Sequence, residues 1–196
     1  AGDINGDGLA DIVIGAPGGD RSSLVTHANT GEVFVLFGSP TGLANGNSLS
    51  GLDGSNGFRM VGEDSGDRVG HSVNVVPSGD INGDGFDDLI VGSIYADSQA
   101  GKAYVVFGSG ENFPATIDLA NLNGTNGFAI VGEFTGDRAG VPVGSVGDVN
   151  GDGFDDLLIG AGFYDNDVGR SYVVFGKPQW SEASVELFWM VSSEGI

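Results

Sequence analysis

The chain contains no cysteine, so neither a disulfide framework nor a thiolate zinc site can hold it together. Positive charge is almost as scarce. Seven Lys and Arg stand against 27 Asp and Glu, a formal net charge of −20, which argues against nucleic acid or an anionic membrane surface as a partner. No apolar run approaches the roughly 20 residues of a membrane span, so membrane insertion is not expected. Proline is rare, at 6 of 196, and no segment carries convincing helical periodicity. Glycine is what abounds. Its 37 residues recur at fixed places in a long repeat, which separates the chain from collagen and from disordered glycine-rich sequence. A chain of this length can bury a real core, and it reads as a single all-β domain over 1–196. No secretory leader is visible, and the first residues lie so close to a candidate metal ligand that the chain reads as the interior of a longer protein.

The acidic residues are not scattered. Asp80-Ile81-Asn82-Gly83-Asp84-Gly85-Phe86-Asp87-Asp88 runs straight into Leu89-Ile90-Val91-Gly92, and nearly the same words occur from Asp3 to Asp11 and from Asp148 to Asp156. Each copy offers side-chain oxygens at positions 1, 3 and 5: Asp3, Asn5 and Asp7; Asp80, Asn82 and Asp84; Asp148, Asn150 and Asp152. Position 6 is a glycine that permits the sharp turn, and the residue at position 7 (Leu9, Phe86 or Phe154) can present its carbonyl. Position 9 closes the set with Asp11, Asp88 or Asp156. Hard oxygens at this spacing suit Ca²⁺, which takes about six to eight of them, better than Mg²⁺ with its stricter octahedron and retained waters. Three Ca²⁺ per chain are therefore expected. A helix-loop-helix calcium hand needs Glu at position 12, where this chain has Ile14, Val91 and Ile159, so the loops belong in β-hairpins. Turn formation alone would account for Asn-Gly and Asp-Gly but not for a carboxylate three residues further on. Position 8, which is Ala10 in one copy and Asp87 or Asp155 in the others, is expected to be non-ligating and tolerant of substitution.

The loops head a longer unit. Phe37-Gly38, Phe107-Gly108 and Phe175-Gly176 each close an apolar strand, and they recur at a spacing near 70 residues, as repeated supersecondary units do. A spacer follows, then Gly54-Ser55-Asn56-Gly57-Phe58 or Gly124-Thr125-Asn126-Gly127-Phe128 leads into a third strand. A fourth strand, near Ser72 to Val76 or Val141 to Val146, returns to the next loop. Each unit thus reads as four short antiparallel strands with both faces apolar, which need neighbouring units to cover them, as blades around an axis do. The boundaries fall at about 1–62, 63–132 and 133–191. Near the end, Ala183 to Leu187 keeps register with Ala115 to Leu119, after which Phe188-Trp189-Met190-Val191 departs from the repeat.

Gly15-Ala16-Pro17, the Phe-Gly pairs and the D-x-N-G-D-G-x-x-D loops together resemble the FG-GAP repeats of integrin α-subunit β-propellers and their bacterial relatives. The resemblance covers residues 1 to about 187. It implies a propeller whose cation loops join the first and second strands of a blade. It further implies that ligands meet the opposite face, built from second-to-third strand loops and blade-to-blade connections. Only three repeats are present, so a partial propeller, or a ring closed by oligomerisation, is expected.

Other chemistry is thinly represented. His27 and His71 are the only histidines, and no serine–histidine–acid arrangement can be assembled, so no catalytic residue is assigned. The Asp87-Asp88 and Asp155-Asp156 pairs are better metal-loop residues than glycosidase acids, because an adjoining cation would hold them ionised. Asp67-Arg68 and Asp137-Arg138 recur and fit a structural pair between blades. The expected function is a calcium-binding, non-enzymatic module for adhesion or ligand binding in a secreted or surface bacterial protein. Its ligand would be a protein or a carbohydrate, and the chain is expected to form a homodimer. The alternative is a hydrolase or its accessory domain, since FG-GAP propellers resemble those attached to phospholipases.

Overall fold

Runs of β-branched and aromatic residues bounded by glycine-rich turns form twelve short strands in the computed structural model, which describes residues 2–20, 28–40, 42, 48–75 and 79–187. They are β1 (Ile12–Ala16), β2 (Glu32–Leu36), β3 (Gly57–Val61), β4 (Ser72–Val75), β5 (Leu89–Ser93) and β6 (Lys102–Val106). The remainder are β7 (Thr116–Asp118), β8 (Gly127–Val131), β9 (Ala139–Gly147), β10 (Asp156–Ala161), β11 (Arg170–Val174) and β12 (Ser184–Glu186). Three sheets result, in the orders β1-β2-β3-β7, β4-β5-β6-β8-β12 and β9-β10-β11. Helix is confined to single turns, and among the described residues none is long and apolar enough to cross a membrane.

Period-two alternation decides which side of each sheet meets which neighbour. In β5 every residue is buried, but Leu89 and Val91 join Val33, Val35, Phe58 and Met60 of the first sheet, while Ile90 joins Leu157, Ile159 and Val174 of the third. β6 alternates likewise, with Tyr104 and Val106 on one side and Ala103 and Val105 on the other. The central sheet is thus covered on both faces, with each fully buried aliphatic side chain contributing about 1.5–3 kcal/mol. Close approach of the sheets depends on glycine. A β-carbon on Gly92 would collide with the carbonyl oxygen of Gly140, and one on Gly15 with that of Gly70.

One feature departs from a unit of four antiparallel strands. The spacers after the second and third Phe-Gly pairs contain strands, and these pair parallel with the outer strand of the preceding sheet: β7 with β3, placing Ile117 opposite Met60, and β12 with β8, placing Val185 opposite Ile130. Each such strap brings an aromatic ring. Phe113 stacks on Phe58 with centroids 4.6 Å apart, and Trp180 stacks on Phe128 at 3.8 Å. A fourth strand for the third sheet would fall in the Phe188 to Val191 region, outside the described residues.

Candidate metal centre

The second and third acidic loops link the first two strands of a sheet, β4 to β5 and β9 to β10, and the first precedes β1. Their backbones turn through glycines with positive φ, such as Gly83 (77°) and Gly85 (90°). These turns aim amide groups at the position-1 carboxylate. In the second loop Asp80 Oδ1 accepts from the N–H groups of Gly83 and Asp84 at 2.6 and 2.9 Å, and Asp80 Oδ2 accepts from Gly85 at 2.8 Å. Asn82 Oδ1 accepts from the same Asp84 N–H at 3.0 Å, which gathers the position-1 and position-3 oxygens on the inner side of the turn. Asp84 Oδ1 accepts from Phe86, and Asn82 Nδ2 donates to Asp84 Oδ2. The third loop repeats every one of these bonds through Asp148, Asn150 and Asp152. The first repeats most of them through Asp3, Asn5 and Asp7.

Position 9 sits deeper. Asp11, Asp88 and Asp156 are fully buried, and each carboxylate bridges two backbone amides. One belongs to its own loop (Ile4, Ile81, Val149), the other to the glycine of the Phe-Gly pair (Gly38, Gly108, Gly176), at 2.8–2.9 Å. The spacing between loop and Phe-Gly pair therefore has a physical meaning: the aspartate locks the end of the next strand to the loop. Burial pushes the Asp88 carboxyl up to about 8, and the charges of Asp84 and Asp80 add to the shift. Burial raises Asp11 in the same sense. At Asp148, which is exposed, the Gly153 amide holds the carboxyl below its ordinary value.

The donor set fits a hard cation. All oxygens are carboxylate or amide, every carboxylate oxygen of the set except Oδ1 of Asp80 and of Asp148, which accept from two amides each, retains a lone pair beyond its hydrogen bond, and the charges of Asp84 and Asp80 press on the buried Asp88. Among the described residues the acidic side chains are nevertheless not gathered three together around a point, because positions 1 and 5 are turned onto loop amides. Asp3, Asn5, Asp7 and Asp11, with their counterparts, would hold the ion, which would supply charge compensation and rigidity. The carbonyls of Leu9, Phe86 and Phe154 complete the expected set.

Position 8 is not idle. Asp87 Oδ2 accepts from the N–H of Asp3 at 2.7 Å, and Asp155 Oδ2 from the N–H of Asp80 at 3.1 Å, so the second and third loops each carry a carboxylate bonded to the loop before it. Phe86 and Phe154 lie against Gly6 and Gly83 of those preceding loops, where a β-carbon would not fit. Ala10 has no such carboxylate to offer. Sequence spacing could not reveal this bond, because its two ends lie in different repeats.

The opposite ends of the strands carry the remaining candidates. Arg68 lies 4.9 Å and Arg138 5.5 Å from the Tyr95 ring centroid, and Arg138 is 4.3 Å from that of Phe163. The recurring Asp-Arg pairs do bridge blades, through Arg138 stacking on Tyr95 and through the Arg68 and Arg138 backbone N–H groups, which donate to the Asn29 and Gln99 carbonyls at 3.1 and 3.0 Å. The repeated ion pairs are Lys102–Glu63 at 2.7 Å and Arg170–Glu133 at 2.8 Å. His71 is exposed beside Tyr95, and His27 lies outside the described residues.

Comparison with known proteins agrees with this geometry. The family model described as "FG-GAP repeat" matches residues 1–36, 72–106 and 141–174. The chain is 30% identical over 164 residues to integrin alpha pat-2 of Caenorhabditis elegans, covering 81% of this chain and 12% of that protein. It is 28% identical over 187 residues to integrin alpha-PS2 of Drosophila melanogaster, covering 90% and 11%. It is 30% identical over 170 residues to phosphatidylinositol-glycan-specific phospholipase D of Homo sapiens, covering 82% and 18%. The chain thus spans less than a fifth of the length of these relatives.

Proposed function

Because the chain belongs to the FG-GAP repeat family, we propose that it is a calcium-stabilised, non-enzymatic binding module of a secreted or cell-surface protein. The observation that carries the proposal is the threefold recurrence of one loop. Each copy groups position-1 and position-3 oxygens on a turn and buries a position-9 carboxylate. Calcium at millimolar concentration outside the cell suits such loops, and an acid-rich surface suits that setting. The blade ends opposite the loops would meet a protein or carbohydrate ligand. Two chains would associate through their uncovered end blades.

Titration calorimetry should count three Ca²⁺ per chain, and a site held at a hundred times its dissociation constant adds about 2.7 kcal/mol of stability. Melting should therefore rise in millimolar calcium over chelator. Identical melting in the two would reduce the loops to turns. Similarity to a phospholipase D favours a second reading, the accessory part of a hydrolase. It predicts turnover of phosphodiester, ester or glycoside substrates that a single substitution outside the loops abolishes.

A further inference from the structure

The acidic loops are not independent turns, because each junction between consecutive loops repeats one set of contacts. Asp87 and Asp3 exchange two bonds, the Asp3 N–H donating to Asp87 Oδ2 at 2.7 Å and the Asp87 N–H to the Asp3 carbonyl at 3.4 Å. Asp155 and Asp80 do the same at 3.1 and 3.2 Å. A third bond follows at both junctions, from the Ser109 N–H to the Ile4 carbonyl and from the Lys177 N–H to the Ile81 carbonyl, each at 3.0 Å. The rings of Phe86 and Phe154 complete the contact against Gly6 and Gly83.

This docking has a direction. The earlier loop is held at its positions 1, 2 and 4, and the holding groups come from the later loop and from the residue just past its Phe-Gly pair. Position 1 is an expected ligand, so the later loop fixes the backbone from which a ligand of the earlier one projects. Within residues 1–196 no fourth copy of the motif follows, so the third loop is held by no later one. Its position 2 shows the difference: Ile4 and Ile81 are fully buried, whereas Val149 is 57% exposed. Asp148 is likewise exposed where Asp3 and Asp80 are partly covered. Inside the turn, by contrast, the second and third loops match bond for bond, which leaves docking as the chief difference between them.

We propose that Asp87 and Asp155 are positioning residues for the calcium sites of the loops before them, so that the first and second sites are supported from outside and the third is the weakest. This deepens the calcium-stabilised reading and rests on it. A ligand backbone already held needs no ordering when the ion arrives; where the bond is missing, that ordering cost falls on binding. A hydrogen bond to a charged acceptor is worth about tenfold or more in such an equilibrium.

The test follows amide hydrogen exchange of the whole chain by mass spectrometry across a calcium titration, which gives each loop its own midpoint. In the unaltered chain, the third loop should gain protection at about tenfold higher calcium than the second. Asp87→Ala should raise the midpoint of the first loop by a similar factor and leave that of its own loop in place. Asp155→Ala should do the same to the second loop and leave the third. Asp87→Asn, which keeps an acceptor without the charge, should recover most of the shift. A general loss of stability would move all three midpoints together, and a ligand role at position 8 would move the variant's own loop. Either result overturns the proposal, as does a third loop that fills at the same calcium as the second. Calcium-dependent protection in all three loops without this asymmetry would sink only the positioning role. No calcium-dependent protection in any loop would sink the calcium reading itself, and the proposal with it.

Discussion

At the scale of single residues, the three loop aspartates that share a motif do different work. Asp84 faces the turn, so Asp84→Ala should lower the calcium count by one and cost stability chiefly when calcium is present. Asp88 also holds the Ile81 and Gly108 amides, which would be left buried and unpaired in Asp88→Ala, at about 1–3 kcal/mol each. That loss should therefore persist in chelator, and denaturant unfolding in the two media separates the two effects. Asp87→Ala, silent if position 8 were idle, should cost about 1 kcal/mol or more by removing the bond to the Asp3 amide. Elsewhere, burial pushes the Asp67 carboxyl up to about 6 from 3.8. The folded state then holds that proton more tightly than the unfolded one. Its penalty is complete above the folded value and relieved as pH falls toward the unfolded one, so stability from this group falls as pH rises through that window. In saturating calcium, Asp67→Asn should flatten the slope of stability between pH 4 and 6.

At the scale of elements, the acidic turns and the strands around them were legible because their signals are local. Carboxylates at fixed spacing and alternating apolar residues need no knowledge of a partner. The straps were not legible as strands. Thr116-Ile117-Asp118 and Ser184-Val185-Glu186 each hold one apolar residue, too few to show a period, and pair with strands of another repeat. Recurrence of Ala115 to Leu119 at Ala183 to Leu187 was the available signal, and it marked the place without naming the structure. The Asp87 and Asp155 bonds were hidden for the same reason. Trp180, stacked on Phe128 and almost fully buried, anchors the second strap. Trp180→Ala should cost about 3 kcal/mol or more, read from denaturant unfolding followed by circular dichroism.

At the scale of the whole molecule, covered and uncovered ends can be compared through the repeat. Phe37 and Phe107 are 7% exposed, whereas Phe175 is 46% exposed; Ile4 and Ile81 are fully buried, whereas Val149 is 57% exposed. At the far side Ile12 and Ile14 are 42% and 40% exposed. Apolar residues placed this way favour association, so sedimentation equilibrium should show a dimer that Phe175→Ser with Val149→Asp weakens. A monomer at all concentrations would exclude pairing through these faces. The straps have a further consequence, in the order of time. Chains are made from the amino terminus, so β3 presents an open edge until the ribosome has released residues 116–118, and β8 until it has released 184–186. Each blade is left unfinished while the next is being translated, and its last strand arrives only after the neighbour's first strands. A stalled or prematurely terminated chain would therefore end with at least one incomplete blade, and with two when the stop falls between β4 and β7, and would carry the open edge into contact with other nascent chains.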